Sequence, residues 1–259
     1  MTVAASSSAQ VLTAALHRGV DPTAIAVRHC VSVLDYIDLP SPNFDDRQLP
    51  VSMIVLHYTG MPDGQRALDR LRSPEAQVSC HYLVDEDGTV YRLVDEANRA
   101  WHAGKSRWRG MTDINSASVG IEIVNPGHEF GYRAFPDEQI AALIPLVADI
   151  KERHGIGRGN VVGHSDVAPA RKEDPGELFP WEALAKRRLA LPSPSRELID
   201  PYWTDAGFLL ALERFGYDVT DEQKAVIAFQ RRFRPELIDG MVDGECRAKL
   251  LALLLPRPQ

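Results

Sequence analysis

The stretch VSMIVLHY (51–58) decides the fold. It is an apolar run that carries the β-branched residues Val51, Ile54 and Val55, and it predicts a buried strand. The run stops at His57 and Tyr58, so the strand delivers an imidazole and a phenol to its end. Two more stretches extend this reading. SVGIEIV (118–124) predicts a second strand, and NVVG (160–163) a short one that leads directly into His164. CHYLVDEDGTVYRLV (80–94) has two apolar arms around Asp87-Gly88, which is a hairpin signal. FPDEQIAALIPLVADIKERHG (135–155) places apolar residues at 140, 143, 144, 147 and 150, which is helical spacing. Pro136 suits the first turn, Gly155 the stop, and Pro145 inside the pattern allows a kink. WEALAKRRLA (181–190) reads as a short helix. Strands and helices alternate, so the expected fold is α/β, a mixed central sheet flanked by helices.

The flanks read differently. Residues 1–34 are expected to form a weakly helical N-terminal extension, and DLPSPNFDDRQLP (38–50) an extended loop rich in Pro and Asp. The main domain is expected over 35–190, and LPSPS (191–195) reads as a linker. Beyond it lie three amphipathic segments, near 204–216, 220–233 and 243–255. They predict a small all-α three-helix domain over 196–259.

Composition narrows the function. The 259 residues are 44% apolar and 25% charged, with a formal net charge of −7, which argues against a nucleic-acid partner that needs a basic field. Cys30, Cys80 and Cys246 are odd in number, far apart and without a CxxC pair, so free thiols are expected rather than disulfides or a thiolate metal site. No run of apolar residues is long enough for membrane insertion. The first twenty residues lack the basic start and apolar core of a secretory signal, so a cytoplasmic location is expected, with the periplasm as the alternative. Nothing in the sequence names a protein partner.

Several residues could carry chemistry. A zinc hydrolase needs three ligands from His, Asp, Glu or Cys, an open position, a carboxylate to take a proton, and a positive group for the oxyanion. His57 and His164 each end a predicted strand, and Asp174 follows ten residues later in a loop with Pro175 and Gly176. Spacing alone leaves two readings open, a metal triad or separately hydrogen-bonded histidines, because no HExxH-type motif fixes the set. Glu122 shares a strand face with Gly120 and Val124 inside an apolar strand. It reads as a general base, as a solvent-facing edge residue or as half of an ion pair. Lys172 stands two residues before Asp174, so an extended loop would aim both at one site; the competing reading is a solvated charge run. GHSDV (163–167) lacks the final glycine of a nucleophile elbow, which argues against a serine hydrolase. DEDG (85–88) is a hairpin turn and not a calcium loop. His81 and the histidine of WHAG (101–104) read as structural or substrate-contacting residues.

Taken together, LHYTGM (56–61), VSCHYLVDEDGTVYRLVDE (78–96), RAWHAG (99–104), INSASVGIEIVNPG (114–127) and VVGHSDVAPARKEDPGELFPW (161–181) resemble the type 2 N-acetylmuramoyl-L-alanine amidase family, whose fold is shared with peptidoglycan recognition proteins. The resemblance spans roughly 35–190 and keeps the family's motif order. It implies that His57, His164 and Asp174 bind Zn²⁺, that Glu122 is the catalytic carboxylate, and that Lys172 stabilises the oxyanion. It further implies substrate contacts at Tyr58 and His102, and peptidoglycan or an anhydromuropeptide as the substrate, cut between muramic acid and L-alanine. Non-catalytic recognition and a zinc peptidase acting on the stem peptide are the alternatives. Residues 196–255 are similar to a peptidoglycan-binding three-helix module, with DVTDEQ (218–223) shorter than the module's usual paired loop.

Overall fold

The computed structural model describes residues 35–195 and 199–255. The expected N-terminal extension over 1–34, with Cys30, lies outside the described residues.

The run at 51–58 forms β3 (Met53–Tyr58), which is buried on both faces. Its neighbours are β7 (Ser118–Ile123) and β8 (Val161–Gly163), both parallel to it. The predicted hairpin forms β4 (Tyr82–Val84) and β5 (Val90–Arg92), antiparallel to each other, with Gly88 at φ 86 in the turn. A side chain is disfavoured at such a φ, and an added Cβ would also stand 2.9 Å from the Glu138 carbonyl oxygen. Together with β1 (Ile37–Asp38), these strands make a six-stranded mixed sheet in the order β1-β5-β4-β7-β3-β8.

Part of the stretch read as an extended loop pairs as strand. β1 adds to the sheet edge beside β5, and β2 (Phe44–Asp46) pairs antiparallel with β6 (Asn98–Ala100). These strands are held by backbone pairing at exposed edges, so they carry no apolar alternation to announce them.

Helices follow local signals. α1 (Gly64–Arg72) starts where Asp63 Oδ1 accepts the Arg66 N–H at 2.8 Å, and it buries Ala67, Leu68 and Leu71. After it come α2 (Ile114–Ala117) and α3 (Gly127–Phe130). α4 (Asp137–His154) runs through Pro145 and stops at Gly155 in the left-handed region, as the sequence predicts. It buries Ile140, Leu143, Leu146, Val147 and Ile150, while its Gln139 amide donates to the carbonyls of Val84 and Val124. α5 (His164–Val167) continues directly from β8. α6 (Trp181–Lys186) is shorter than the 181–190 expected.

The C-terminal segments form α7 (Asp205–Phe215), α8 (Glu222–Phe233) and α9 (Gly244–Leu254). Thr204, Asp221 and Asp243 cap them, each side chain accepting a first-turn N–H. Their apolar faces do not close on themselves alone. Phe208, Leu212, Phe215, Tyr217 and Phe229 share one continuous cluster with Met53, Val55, Val162 and Val167. Trp108 meets Phe215 and Tyr217 edge-on. The 191–195 stretch is fastened to these helices: Ser193 Oγ donates to the Phe233 carbonyl, and Lys249 Nζ donates to Ser193 Oγ and the Pro194 carbonyl. No helix among the described residues is long and apolar enough to cross a membrane.

One sheet face decides where a ligand could sit. Residues opposite one another on parallel strands point the same way, so His57, Glu122 and Leu83 share that face. α1 covers it over Leu83 and Val124, and the C-terminal helices cover it over Met53, Val55 and Val162. The strip left between them is a cleft.

Candidate active site

His57 and Glu122 are register partners at the ends of β3 and β7. His164 begins α5, where the Asp166 carboxylate caps the turn by accepting the Gly163 N–H at 2.7 Å. The loop after α5 folds back so that Ser165 N–H donates to the Asp174 carbonyl at 2.9 Å, which brings the Asp174 side chain to the two imidazoles. All three are buried. His57 Nδ1 stands 3.0 Å from His164 Nδ1 and 2.9 Å from Asp174 Oδ2, and His164 Nδ1 stands 3.1 Å from the same oxygen.

This set fits a metal ion. Ligand atoms about 2.0–2.2 Å from a tetrahedral zinc stand roughly 3.3–3.6 Å from one another, about half an ångström wider than the spacing here. The outer nitrogens have their own partners. His164 Nε2 donates to the Ala103 carbonyl at 3.0 Å, and His57 Nε2 lies 3.1 Å from His102 Nδ1. Such contacts leave the inner nitrogens free to ligate. Burial, and then the neighbouring His164, push His57 down to about 4, so it is neutral at pH 7. Burial alone would raise Asp174, but His164 and His57 hold its carboxyl well below the usual range.

Glu122 faces the same space. Burial, and then the charge of Asp174, push its carboxyl well above the usual range, while Lys172 pulls it back. Its Oε2 is buried without a hydrogen-bond partner. An orphaned carboxylate oxygen beside a candidate metal site is what a proton-transfer role requires and what stability alone would avoid. Lys172 and Asp174 line one cavity with His57, Glu122 and His164, about 500 Å³ in volume. Of the readings left open by the sequence for Glu122, the ion pair is absent: it has no ion-pair partner among the described residues, and its Oε2 is buried in the shared cleft.

Tyr58 stands at the mouth of the cleft, its hydroxyl 3.1 Å from His128 Nδ1, and burial pushes it up to about 12. His102 lies deeper than an open contact position would suggest, behind His57 and 6% exposed. Ser165 lies in the first turn of α5, so GHSDV is a strand-to-helix junction that turns His164 into the buried cluster. A second cavity of about 600 Å³ continues past Tyr58, Lys172 and Asp174, and its far wall is Lys224, Ile227 and Arg231 of α8. Sequence reasoning did not find this wall. Arg231 and Arg232, adjacent charges on α8, are both buried: Arg231 lies against Glu173 and Glu177, and Arg232 stacks on Trp181 near Asp166. Met61, Phe130 and His128 also join the cleft surroundings unannounced, on short segments without periodicity.

A family model described as N-acetylmuramoyl-L-alanine amidase matches residues 47–177. The chain is 38% identical to N-acetylmuramoyl-L-alanine amidase AmiD of Escherichia coli K12, over 79% of this chain and 82% of that protein. It is 32% identical to 1,6-anhydro-N-acetylmuramyl-L-alanine amidase AmpD of Haemophilus influenzae, over 57% of this chain and 89% of that one. Two solved structures are similar over most of their length. One is E. coli AmiD in complex with the substrate anhydro-N-acetylmuramic acid-L-Ala-D-γ-Glu-L-Lys, with TM-score 0.71 and 38% identity, over 79% of this chain and 88% of that one. The other is AmpDh3 of Pseudomonas aeruginosa in complex with an anhydromuramic pentapeptide, with TM-score 0.72 and 33% identity, over 78% of this chain and 90% of that one.

Proposed function

The chain belongs to the N-acetylmuramoyl-L-alanine amidase family, and from that premise we propose that it hydrolyses, with zinc bound, the amide joining N-acetylmuramic or anhydromuramic acid to L-alanine in peptidoglycan or its fragments. The observation that carries this reading is the convergence of His57, His164 and Asp174 beside the unpartnered Glu122 carboxylate.

His57 Nδ1, His164 Nδ1 and Asp174 Oδ2 would hold the metal. When bound, zinc supplies Lewis acidity, polarising a carbonyl oxygen and acidifying water. Glu122 accepts a proton from the attacking water and returns one to the departing alanine amine. Lys172 brings positive charge to the oxyanion that forms on the lactyl carbonyl. Tyr58, at the junction of the two cavities, borders the bound substrate. No covalent enzyme intermediate is needed. The relatives crystallised with anhydromuropeptides support a muropeptide substrate, and the cleft extending to α8 gives room for more than the scissile amide.

The test is mass spectrometry of products after metal-loaded protein is incubated separately with purified sacculi and with an anhydromuramyl tripeptide, each with a chelated control. Chelator-sensitive release of peptide with a free L-alanine amino terminus is expected. No release from either substrate, with zinc shown to be bound, would reject the amidase reading; cleavage inside the peptide would replace it by a peptidase.

A further inference from the structure

We propose that His102 and Ser118 form a relay that fixes the tautomer of His57, and that His102 is thereby a positioning residue for the metal. The inference rests on the reading that His57, His164 and Asp174 hold that metal.

The direction of every proton follows from one end. Ser118 Oγ lies 2.5 Å from the carbonyl oxygen of Ile114. A carbonyl has no proton to give, so the serine hydroxyl proton lies between them. Ser118 Oγ is then an acceptor toward His102 Nε2, 3.2 Å away, and that nitrogen carries a hydrogen. The His102 ring is buried, and its nitrogens face only Ser118 Oγ and His57 Nε2, with no carboxylate in contact to hold a second proton, so Nδ1 is bare. Nδ1 accepts from His57 Nε2 at 3.1 Å. With its hydrogen on Nε2, the His57 ring turns its Nδ1 lone pair toward Asp174 and His164.

Without the relay the opposite tautomer would be favoured. The Asp174 carboxylate, 2.9 Å from His57 Nδ1, is the better acceptor and would draw a proton onto that nitrogen. The relay therefore works against a local preference and leaves a cation as the group that satisfies the three inner atoms. His164 is set in the same way by the next residue, because its Nε2 donates to the Ala103 carbonyl. Asn115 Oδ1 fastens this dipeptide by accepting the N–H groups of His102 and Ala103 at 3.1 and 2.7 Å. Gly120 completes the housing: a Cβ there would stand 2.4 Å from His102 Cγ, so only glycine lets the ring lie against β7.

The experiment compares wild type with His102→Leu, His102→Asn and Ser118→Ala. Two quantities are read: zinc affinity by chelator competition, and the His57 tautomer in metal-free protein from its ring ¹⁵N shifts. Wild type should show His57 protonated on Nε2. His102→Leu should move the proton to Nδ1 and weaken zinc binding by roughly 10–100-fold, the usual loss when the outer partner of a ligating histidine is removed. His102→Asn, with an amide oxygen near the place of Nδ1, should restore most of both. Ser118→Ala should give mixed tautomers, and it tests the relay even if His102→Leu fails to fold. A wild-type His57 protonated on Nδ1, or variants that lose thermal stability with tautomer and affinity unchanged, would overturn the relay. Wild type with the expected tautomer but no affinity for zinc would instead overturn the metal reading.

Discussion

Tyr217→Phe tests whether the C-terminal helices are energetically part of the active-site body. Tyr217 follows α7, is 1% exposed, and donates to Asp166 Oδ1 at 2.5 Å. Asp166 is itself 2% exposed, and its other oxygen caps the turn that begins with His164. Phenylalanine keeps the ring in the shared cluster with Trp108 and Phe229 and removes only the hydroxyl. A hydrogen bond to a charged, buried acceptor contributes about 1.5–3 kcal/mol, and the carboxylate left behind has lost one of its few donors. The expected loss is therefore about 2 kcal/mol in denaturant unfolding, and the melting point should fall by roughly 4–8 °C for a protein of this size. Unfolding should remain a single transition, because the helices and the sheet share one cluster. Zinc affinity should fall as well, since the cap on the His164 turn is loosened. A separate, earlier transition of the C-terminal helices would refute the shared body. Full destabilisation with unaltered zinc affinity would refute the link from Asp166 to His164.

Three further outcomes are expected. Glu122→Gln should lower kcat by about 10²–10⁴-fold with zinc still bound, and should leave stability equal or higher, because an unpartnered buried carboxylate is replaced by a neutral amide; steady-state kinetics and melting on one sample decide both. His57→Ala should abolish stoichiometric zinc and activity together, and retention of zinc by elemental analysis would remove His57 from the ligand set. In metal-free protein, burial pushes His57 and His81 down to about 4 and holds His102 well below its ordinary value. The unfolded chain takes up these protons first, so stability present above about pH 6.5 is lost as pH falls toward about 4, at up to about 1.4 kcal/mol per pH unit for each histidine. Urea midpoints that stay flat from pH 7 to 5 would refute that.

The parts of the site that the sequence revealed were those where a strong local pattern ends abruptly. β3 and β8 are apolar runs, so the histidines that end them stand out, and Glu122 is conspicuous as a charge inside an apolar strand. Asp174 and Lys172 carry no such signal; their spacing offers a shared site, but a charge run in a loop looks the same whether it faces solvent or a metal, and the resemblance is what favours one reading over the other. α1 was missed although Asp63 and the spacing of Ala67, Leu68 and Leu71 announce it. β1, β2 and β6 were illegible for a physical reason, since short edge strands are specified by backbone pairing with distant residues.

The C-terminal helices show the deeper limit. Their periodicity gave their number and their approximate bounds, because burying one face of a helix demands it. What that face buries against is not encoded in the period. Ala225, Phe229 and Phe233 would satisfy a free-standing three-helix core as well as they satisfy the sheet. The discriminating residues are polar: Arg232, which a solitary module would leave in water, is buried against Trp181 and lies 3.9 Å from Asp166, and Tyr217 spends its hydroxyl on the same carboxylate. Burying such groups is favourable only because α5, at the end of β8, supplies the acceptor Asp166. Their burial therefore makes the helices a wall of the cleft, with Lys224 and Ile227 lining its second cavity.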